Sequence, residues 1–384
     1  MNREATIGRP EKESKLVPRQ VALFFIAFSA AFKFINLPAV TARYAREGLW
    51  ISAAIDFLFD GILIAAILFT AKTGEDDTFF ECAEKAFGKP VAIALCVCYC
   101  LFFLVKSYIP IIEQKYYVEV TLYETAPTVL TFLPFFAVCA YISYKGLRGI
   151  GRCADVCTPI TLAAFFILIA LSLATFDATE LLPLTGVPAG DILEGSFRTA
   201  PWHLESSYLL FLAGNVRREK TGEKKILIGF GVSALLVLVY MCVLYGEFGA
   251  IAERQFFSPV RMGKFNVSLT NIGRVDYFSA FAFALSCIFA LSTPVLFASV
   301  CLDRIFRFKR KFIPSLVTSF CLLVAVIATD KSAYNTMSVI QYRLSPWMIG
   351  LTASGPVLFF VAKTVIRIRE EKGKPSSSLG RISP

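Results

Sequence analysis

A polar stretch inside a long apolar segment holds the residues of this sequence that are best suited to chemistry. Trp202, His203 and Glu205 stand together in "RTAPWHLES", near the start of the apolar run 196–213. An unpaired charge at the centre of a bilayer costs about 3 kcal/mol or more, so such side chains usually face a protein interior or water. Arg198 lies closer to the predicted outer surface, where it can be an ordinary interfacial charge. We therefore expect Glu205 to be a buried acid.

His203 is the only histidine of the chain. An imidazole changes its charge near neutral pH, so His203 could be a proton-linked switch. The alternative is a buried, hydrogen-bonded histidine that never titrates. One histidine offers little general-base capacity, and the sequence has no HExxH, GxSxG or GxxxxGK[ST] pattern. We predict that the protein is not an enzyme and needs no cofactor.

A second apolar segment is interrupted near the start of the chain. The run 20–36 is interrupted within "FKFINLPAV" (32–40). Pro38 cannot donate a backbone hydrogen bond, and it disfavours helix at the residue before it. Carbonyl groups freed at 34–36 can bind a ligand or an ion if they line a cavity. The alternative is a helix that simply ends near the outer surface of the membrane.

The two interruptions, at Pro38 and Pro201, are about 170 residues apart. A pair of broken helices at matching positions of two halves indicates a transporter-type binding site near the middle of the membrane. For Trp202, the main alternative to ligand contact is a packing role. The predicted ligand-binding residues are Phe34, Ile35, Asn36, Thr199, Ala200, Trp202, His203 and Glu205.

Four further charged residues fall within apolar segments. Asp56 and Asp60 are four residues apart and share one face of a helix. At about 1.5 Å per residue, Asp56 lies about 10 Å below the outer surface, and Lys33 reaches a similar depth. We predict a buried group of Lys33, Asp56, Asp60 and Lys106 with a Lys33–Asp56 ion pair. Such a pair could gate a pocket or replace a bound cation, or it could only hold two helices together.

The composition is that of a membrane protein. Of 384 residues, 56% are hydrophobic and 18% are charged, whereas soluble domains are about half apolar and a quarter charged. The net charge of +10 does not come with the basic–aromatic interleaving of a nucleic-acid surface, so we predict no nucleic-acid partner. Most of the eleven cysteines lie in apolar runs, where thiols act as small hydrophobic groups, and we predict no metal site.

Apolar runs of membrane-spanning length predict an all-α protein with ten transmembrane helices. With a cytoplasmic N-terminus, the inner segments hold 27 Lys and Arg residues and the outer segments hold 10, which is the bias of cytoplasmic loops. Ten helices divide into five plus five, so we predict two inverted repeats with helices 1 and 6 broken. The runs are 20–45, 49–71, 90–112, 126–144, 156–176, 196–214, 226–247, 275–302, 312–329 and 346–366.

Four local patterns resemble one protein family. They are "LVPRQVALFF" (16–25), "LPAVTARYAREGLWISAAI" (37–55), "GLRGIGRCADVCTP" (146–159) and "FSPVRMGKFNVSLTNIGRVDYF" (257–278). Together they are similar to the permease-like B subunit of bacterial spore germinant receptors, a family of the amino acid–polyamine–organocation superfamily.

The chain departs from the family pattern at three places. Arg148 stands where the family usually has an acid, Gly273 stands where it usually has Glu, and Lys33 precedes the Leu-Pro pair without the usual glycine.

The resemblance implies a sensor in the inner membrane of a spore. Such a subunit binds a small nutrient, for example an amino acid, and acts with an A subunit and a lipoprotein C subunit. Two alternatives remain open at this point. One is a self-sufficient cation-coupled amino-acid transporter, and the other is a purely structural subunit of the receptor.

The remaining polar segments are expected to lie outside the membrane. We predict a cytoplasmic N-terminal segment (1–19), a permease-like domain (20–366) and a disordered cytoplasmic tail (367–384). Arg152 and Asp155 are three residues apart and are expected to pair. The outer loop after helix 3 is expected to carry the solvated charges Glu113, Lys115, Glu119 and Glu124.

Overall fold

The chain is predominantly helical in the part that the computed structural model describes. The structure describes residues 15–73, 76–121, 128–182, 186–265, 275–329 and 332–373. The only strand-like pairing among them is a single parallel bridge between Leu16 and Val216. The first seven helices are α1 (Pro18–Lys33), α2 (Leu37–Ala45), α3 (Leu49–Lys72), α4 (Phe79–Phe87), α5 (Lys89–Thr121), α6 (Thr128–Ser172) and α7 (Ala189–Thr199). The others are α8 (Ser206–Leu212), α9 (Gly222–Phe248), α10 (Ser258–Phe265), α11 (Val275–Phe306), α12 (Ile313–Ala328), α13 (Ala333–Val339) and α14 (Ser345–Gly373).

Among the described residues, six helical segments are long and apolar enough to cross a membrane. They are Leu37–Lys72, Lys89–Lys115, Phe136–Ser172, Gly222–Arg254, Ile288–Phe306 and Ala333–Glu371. These segments confirm the all-helical, multi-pass architecture, whereas the count of ten and the inverted repeat stay predictions. Most of the predicted spans 126–144 and 156–176 lies in α6, which bends at Gly146, where φ is +71°. Glycine adopts this φ without strain.

The first apolar segment is broken, as its sequence predicts. α1 ends at Lys33, and α2 begins at Leu37 after a short bend. Pro38 lies in the first turn of α2, where its missing N–H would have no intrahelical partner in any case. Because a second helix follows, the segment does not simply end at the interruption.

The sixth predicted segment is broken too, but it begins earlier than we predicted. α7 starts at Ala189 and ends at Thr199, a single 3-10 turn spans Ala200–Trp202, and α8 follows from Ser206. Leu204 adopts φ +67° between the two helices, a conformation that is uncommon for a residue with a side chain. The chain therefore runs as two short helices joined by an irregular segment.

α1 is the central helix of the bundle. It packs against α6, α9 and α11, and most of its residues are buried. A Cβ atom on Gly229 of α9 would lie 2.6 Å from the Cα atom of Ala22. The missing side chain lets the two backbones approach closely, as small residues do between membrane helices.

Three boundaries of the sequence prediction change. α14 continues through residues 367–373, which we had assigned to the tail. α5 continues to Thr121, so Glu113 lies in a helix rather than in a loop. The segment 147–155 between the fourth and fifth predicted spans is helical rather than a loop.

Some predictions fall outside the described residues. The segments 1–14 and 374–384 lie there, as do Glu124 and Gly273, and so does the side chain of Glu119.

Candidate functional site

A buried ion pair joins the two interruptions. The Lys33 ammonium group at the end of α1 contacts the Glu205 carboxylate, which directly precedes α8. Both side chains have no exposed surface. The Ser29 hydroxyl lies 3.0 Å from both groups, accepting from Lys33 and donating to Glu205. The predicted Lys33–Asp56 pair is therefore wrong. Counting residues gives the depth of each group but not the direction in which its helix turns it.

Asp60 caps the helix that follows Glu205. Its carboxylate accepts hydrogen bonds from the backbone N–H groups of Glu205 and Ser206 and from the Ser206 hydroxyl. Backbone N–H groups at a helix start have no intrahelical partner and carry a positive partial charge, so an acid stabilises them. A residue of α3 thus holds the second half of the broken helix in place.

Lys106 holds the carbonyl groups that the second interruption frees. Its ammonium group donates to the carbonyl oxygen of Pro201 at 2.9 Å and to that of His203. The ammonium also lies 4.8 Å from the centre of the Phe32 ring, within reach of a cation–π interaction. A lysine of α5 therefore occupies the place at the break where a bound cation could have been coordinated.

Asp56 joins α3 to α7 instead of pairing with Lys33. Its carboxylate accepts from the Ser196 hydroxyl at 2.6 Å and from the Thr199 hydroxyl at 3.3 Å. The His203 Nε2 atom lies 3.6 Å from Asp56 Oδ2, and neither ring nitrogen of His203 has a hydrogen-bond partner among the described residues.

The carbonyl groups at the first interruption are already partnered. The Ser258 hydroxyl donates to the carbonyl oxygens of Phe34 at 2.7 Å and Ile35 at 3.1 Å. The Asn36 side-chain oxygen accepts from the Phe257 backbone N–H at 3.1 Å. The start of α10 therefore satisfies polar groups that we expected to be free for a ligand.

Glu113 was expected in a solvated loop, but it is buried. Its carboxylate accepts a hydrogen bond of 2.8 Å from the indole Nε1 of Trp202, and the residue is only 3% exposed. Trp202 is thus a packed residue with a fixed polar partner. The position of Glu113 directly after the apolar stretch 108–112 was the one sequence signal of its burial.

Two peripheral charged residues have defined partners in the structure. Arg198 lies near the surface of the bundle, with Glu194 at 3.2 Å and the Tyr342 ring centre at 3.8 Å from its guanidinium group. The Asp155 carboxylate accepts hydrogen bonds from the Arg19 guanidinium at 3.1 Å and from the Gln20 side-chain amide at 2.9 Å. The predicted partner, Arg152, does not pair with it.

The sequence of the chain matches a known family over most of its length. Residues 15–335 match the family described as spore germination protein. The chain belongs to this family. The resemblance to permease-like germinant-receptor subunits is thereby confirmed at the level of the family.

One curated relative of this spore germination protein is YndE, a spore germination protein of Bacillus subtilis (strain 168). The two chains are 24% identical over 238 residues, which is 61% of this chain and 64% of YndE. The aligned part of the chain thus spans about 64% of the length of that relative.

Solved transporter structures share the fold. Mhp1, a nucleobase-cation-symport-1 family transporter in a closed conformation, superposes with a TM-score of 0.60 at 13% identity, covering 97% of this chain and 96% of Mhp1. A Na+-coupled sialic acid symporter gives a TM-score of 0.61 at 11% identity, covering 89% of this chain and 79% of the symporter. A manganese transporter of Eremococcus coleocola gives a TM-score of 0.56 at 12% identity, covering 93% of this chain and 79% of the transporter. The fold is therefore that of membrane transporters.

The spore germination protein brings together most of the residues that its sequence singled out, in a different pairing. Lys33, Lys106, Asp60 and Glu205 meet at the broken helices. Further residues complete the site without having been predicted, and they are Ser29, Glu113, Ser196, Ser206 and Ser258. Serines in apolar helices are common, so no sequence signal marked them. Within the described residues, no group of three or more His, Cys, Asp or Glu side chains is placed to hold a metal ion.

Proposed function

We propose that this protein is the nutrient-sensing subunit of a spore germinant receptor and that a small zwitterion, such as an amino acid, binds between the broken helices. The observation that carries the proposal is the Lys33–Glu205 pair at the junction of the two interruptions. An amino acid offers the same two charges in one molecule. Its carboxylate suits the Lys33 ammonium, and its ammonium suits the Glu205 carboxylate.

An unsatisfied carboxylate oxygen and a second ammonium group at the junction support this assignment. The second carboxylate oxygen of Glu205 is buried and has no hydrogen-bond partner among the described residues. Lys106 lies at the same junction and adds a second ammonium group. A buried charge that loses its partner is strongly destabilised. A ligand that separates Lys33 from Glu205 is therefore favoured only if it supplies both complementary charges.

Ligand binding at this position gives a physical route to a signal. Lys33 belongs to the end of α1 and Glu205 to the start of α8. Insertion of a zwitterion separates these two elements, and a ligand that binds the separated arrangement better shifts the population toward it. Partner subunits, which we take to be the A subunit and the lipoprotein C subunit, read that shift. On this proposal the protein resides in the spore inner membrane and catalyses no reaction.

The main competing function is cation-coupled transport of an amino acid. The transporter-like fold favours it, since two of the similar structures are cation-coupled symporters by description. Uptake of labelled amino acids by proteoliposomes separates the two functions. Binding without uptake supports the sensor, whereas uptake driven by a cation gradient supports the transporter.

Germination of spores tests the sensing role. Spores that carry Glu205→Gln should need a nutrient concentration at least about tenfold higher for half-maximal germination, which corresponds to about 1.4 kcal/mol of binding free energy. Asn36, Thr199 and Ala200 also lie at the interruptions, and substitutions there should change sensitivity too. Glu219→Gln, in the exposed loop before α9, is the matched control. Normal assembly with unaltered sensitivity in all site variants would contradict the proposal.

A further inference from the structure

A cavity opens on the side of the bundle, next to the second interruption. It lies between α3, α7 and α14 and has a volume of about 540 Å³, within the range of small-molecule sites. Most of its wall is apolar, including Phe59, Phe197 and Ile349. The polar residues that line it are Asp56, Glu194, Ser196 and His203. An apolar cavity with a few converging polar groups is typical of a ligand site.

The cavity reaches the lipid-facing surface. Leu193 and Phe197 of α7 line the cavity, and their side chains are 57% and 40% exposed at the surface of the bundle. Asp56 lies seven residues into α3, about 10 Å from the start of that helix. By the positive-inside rule, this half of the membrane is the outer one. A molecule dissolved in the outer leaflet could thus enter from the side.

Asp56 and His203, two buried polar groups of the cavity, lack cationic partners among the described residues, whereas Glu194 at the rim is paired with Arg198. Within the described part of the chain, no lysine or arginine forms an ion pair with Asp56. His203 is 1% exposed, and neither of its ring nitrogens has a hydrogen-bond partner there. The nearby ammonium groups of Lys33 and Lys106 are bound to Glu205 and to backbone carbonyls. A buried carboxylate in an apolar wall is stabilised by a cation or a strong donor.

We infer that this cavity binds an organic cation, an ammonium group on an apolar body that partitions into the membrane. The ammonium group would pair with Asp56 and donate to His203, while the hydrocarbon body would contact Phe59, Phe197 and Ile349. This site adjoins the proposed nutrient site at Ala200 and His203 but differs from it in opening on the lipid side of α7. A free amino acid would not suit it, since its carboxylate would meet Asp56.

Binding of n-hexylammonium to the purified full-length protein in phosphatidylcholine nanodiscs tests the inference. We expect saturable binding that is at least about tenfold tighter than that of 1-hexanol, with hexanoate weaker still. Asp56→Asn should weaken hexylammonium binding at least tenfold, because the neutral amide keeps the shape but not the charge. Leu193→Trp should weaken it as well by filling the mouth of the cavity.

The controls separate this site from the bilayer and from the nutrient site. Leu235→Trp changes an exposed residue of α9 and should leave hexylammonium binding unaltered. Glu205→Gln should affect nutrient binding but not hexylammonium binding. Equal binding of the alcohol and the ammonium ion would overturn the inference, as would full affinity in Leu193→Trp. Loss of hexylammonium binding in Glu205→Gln with retention in Asp56→Asn would place the cation at the nutrient site instead.

Discussion

The Lys33–Glu205 pair allows a quantitative test of how the two broken helices are held together. Both side chains are fully buried, and Ser29 hydrogen-bonds to each. Removing one partner of a buried pair leaves an uncompensated charge and costs about 3–5 kcal/mol. We expect Lys33→Met to lower the free energy of unfolding by that amount. Glu205→Gln should cost about 2–4 kcal/mol, because the amide oxygen can still accept from Lys33 and Ser29.

The double variant separates the pair from its surroundings. Once both charges are absent, neither penalty for an unpaired charge remains. The loss in Lys33→Met/Glu205→Gln should therefore be at least about 2 kcal/mol smaller than the sum of the two single losses. Unfolding of the protein in mixed micelles, followed by tryptophan fluorescence during titration with sodium dodecyl sulfate, measures all three values.

An exposed pair in the same protein provides the reference. Lys225 and Glu219 lie 2.8 Å apart with side chains that are 46% and 28% exposed, and the coupling of such a surface pair is about 0–1 kcal/mol. Additive losses in the Lys33 and Glu205 cycle, or a coupling no larger than that of the surface pair, would refute the buried-pair interpretation.

Three further predictions concern Lys106, the membrane topology and the carboxylate of Asp76. Lys106→Met should cost about 2–5 kcal/mol in the same unfolding assay, because two buried carbonyl groups lose their donor; a loss below about 1 kcal/mol would contradict that role. A topology reporter fused at residue 265 should behave as extracytoplasmic, and a cytoplasmic signal would overturn the ten-helix model with a cytoplasmic N-terminus. Burial alone would raise the pKa of Asp76, but the nearby Lys15 and Arg218 outweigh it and lower that pKa. The contribution of Asp76 to stability is therefore present above the ordinary aspartate pKa of about 3.9 and is lost as the pH falls through the lowered value. Asp76→Asn should remove that part of the acid sensitivity. An unaltered dependence of stability on acid pH in this variant would contradict the prediction.

The broken helices could be predicted because proline acts on the backbone alone. Pro38 and Pro201 remove hydrogen-bond donors wherever the side chains point, and both segments are interrupted in the structure. The family could be predicted for a similar reason, since four short patterns in the correct order do not depend on packing.

The pairing of the buried charges could not be predicted from the sequence. Lys33 and Asp56 do lie in neighbouring segments, but the rotation of each helix about its axis decides which groups meet. That rotation follows from the packing of whole helix faces, such as the close approach of α1 to α9 at Gly229. Likewise, Glu113 reads as a loop residue until its helix is seen to continue to Thr121.

Binding of nutrient to the purified protein tests the central claim most directly. L-amino acids, applied singly to the full-length protein in nanodiscs, should include at least one that binds saturably and raises the melting temperature. At 100 times its dissociation constant, such a ligand stabilises the folded state by about 2.7 kcal/mol. Glu205→Gln should weaken that binding at least tenfold, whereas Glu219→Gln should not. An amino acid that binds the wild type and Glu205→Gln equally well, or the failure of every amino acid to bind, would contradict a zwitterion site between the broken helices.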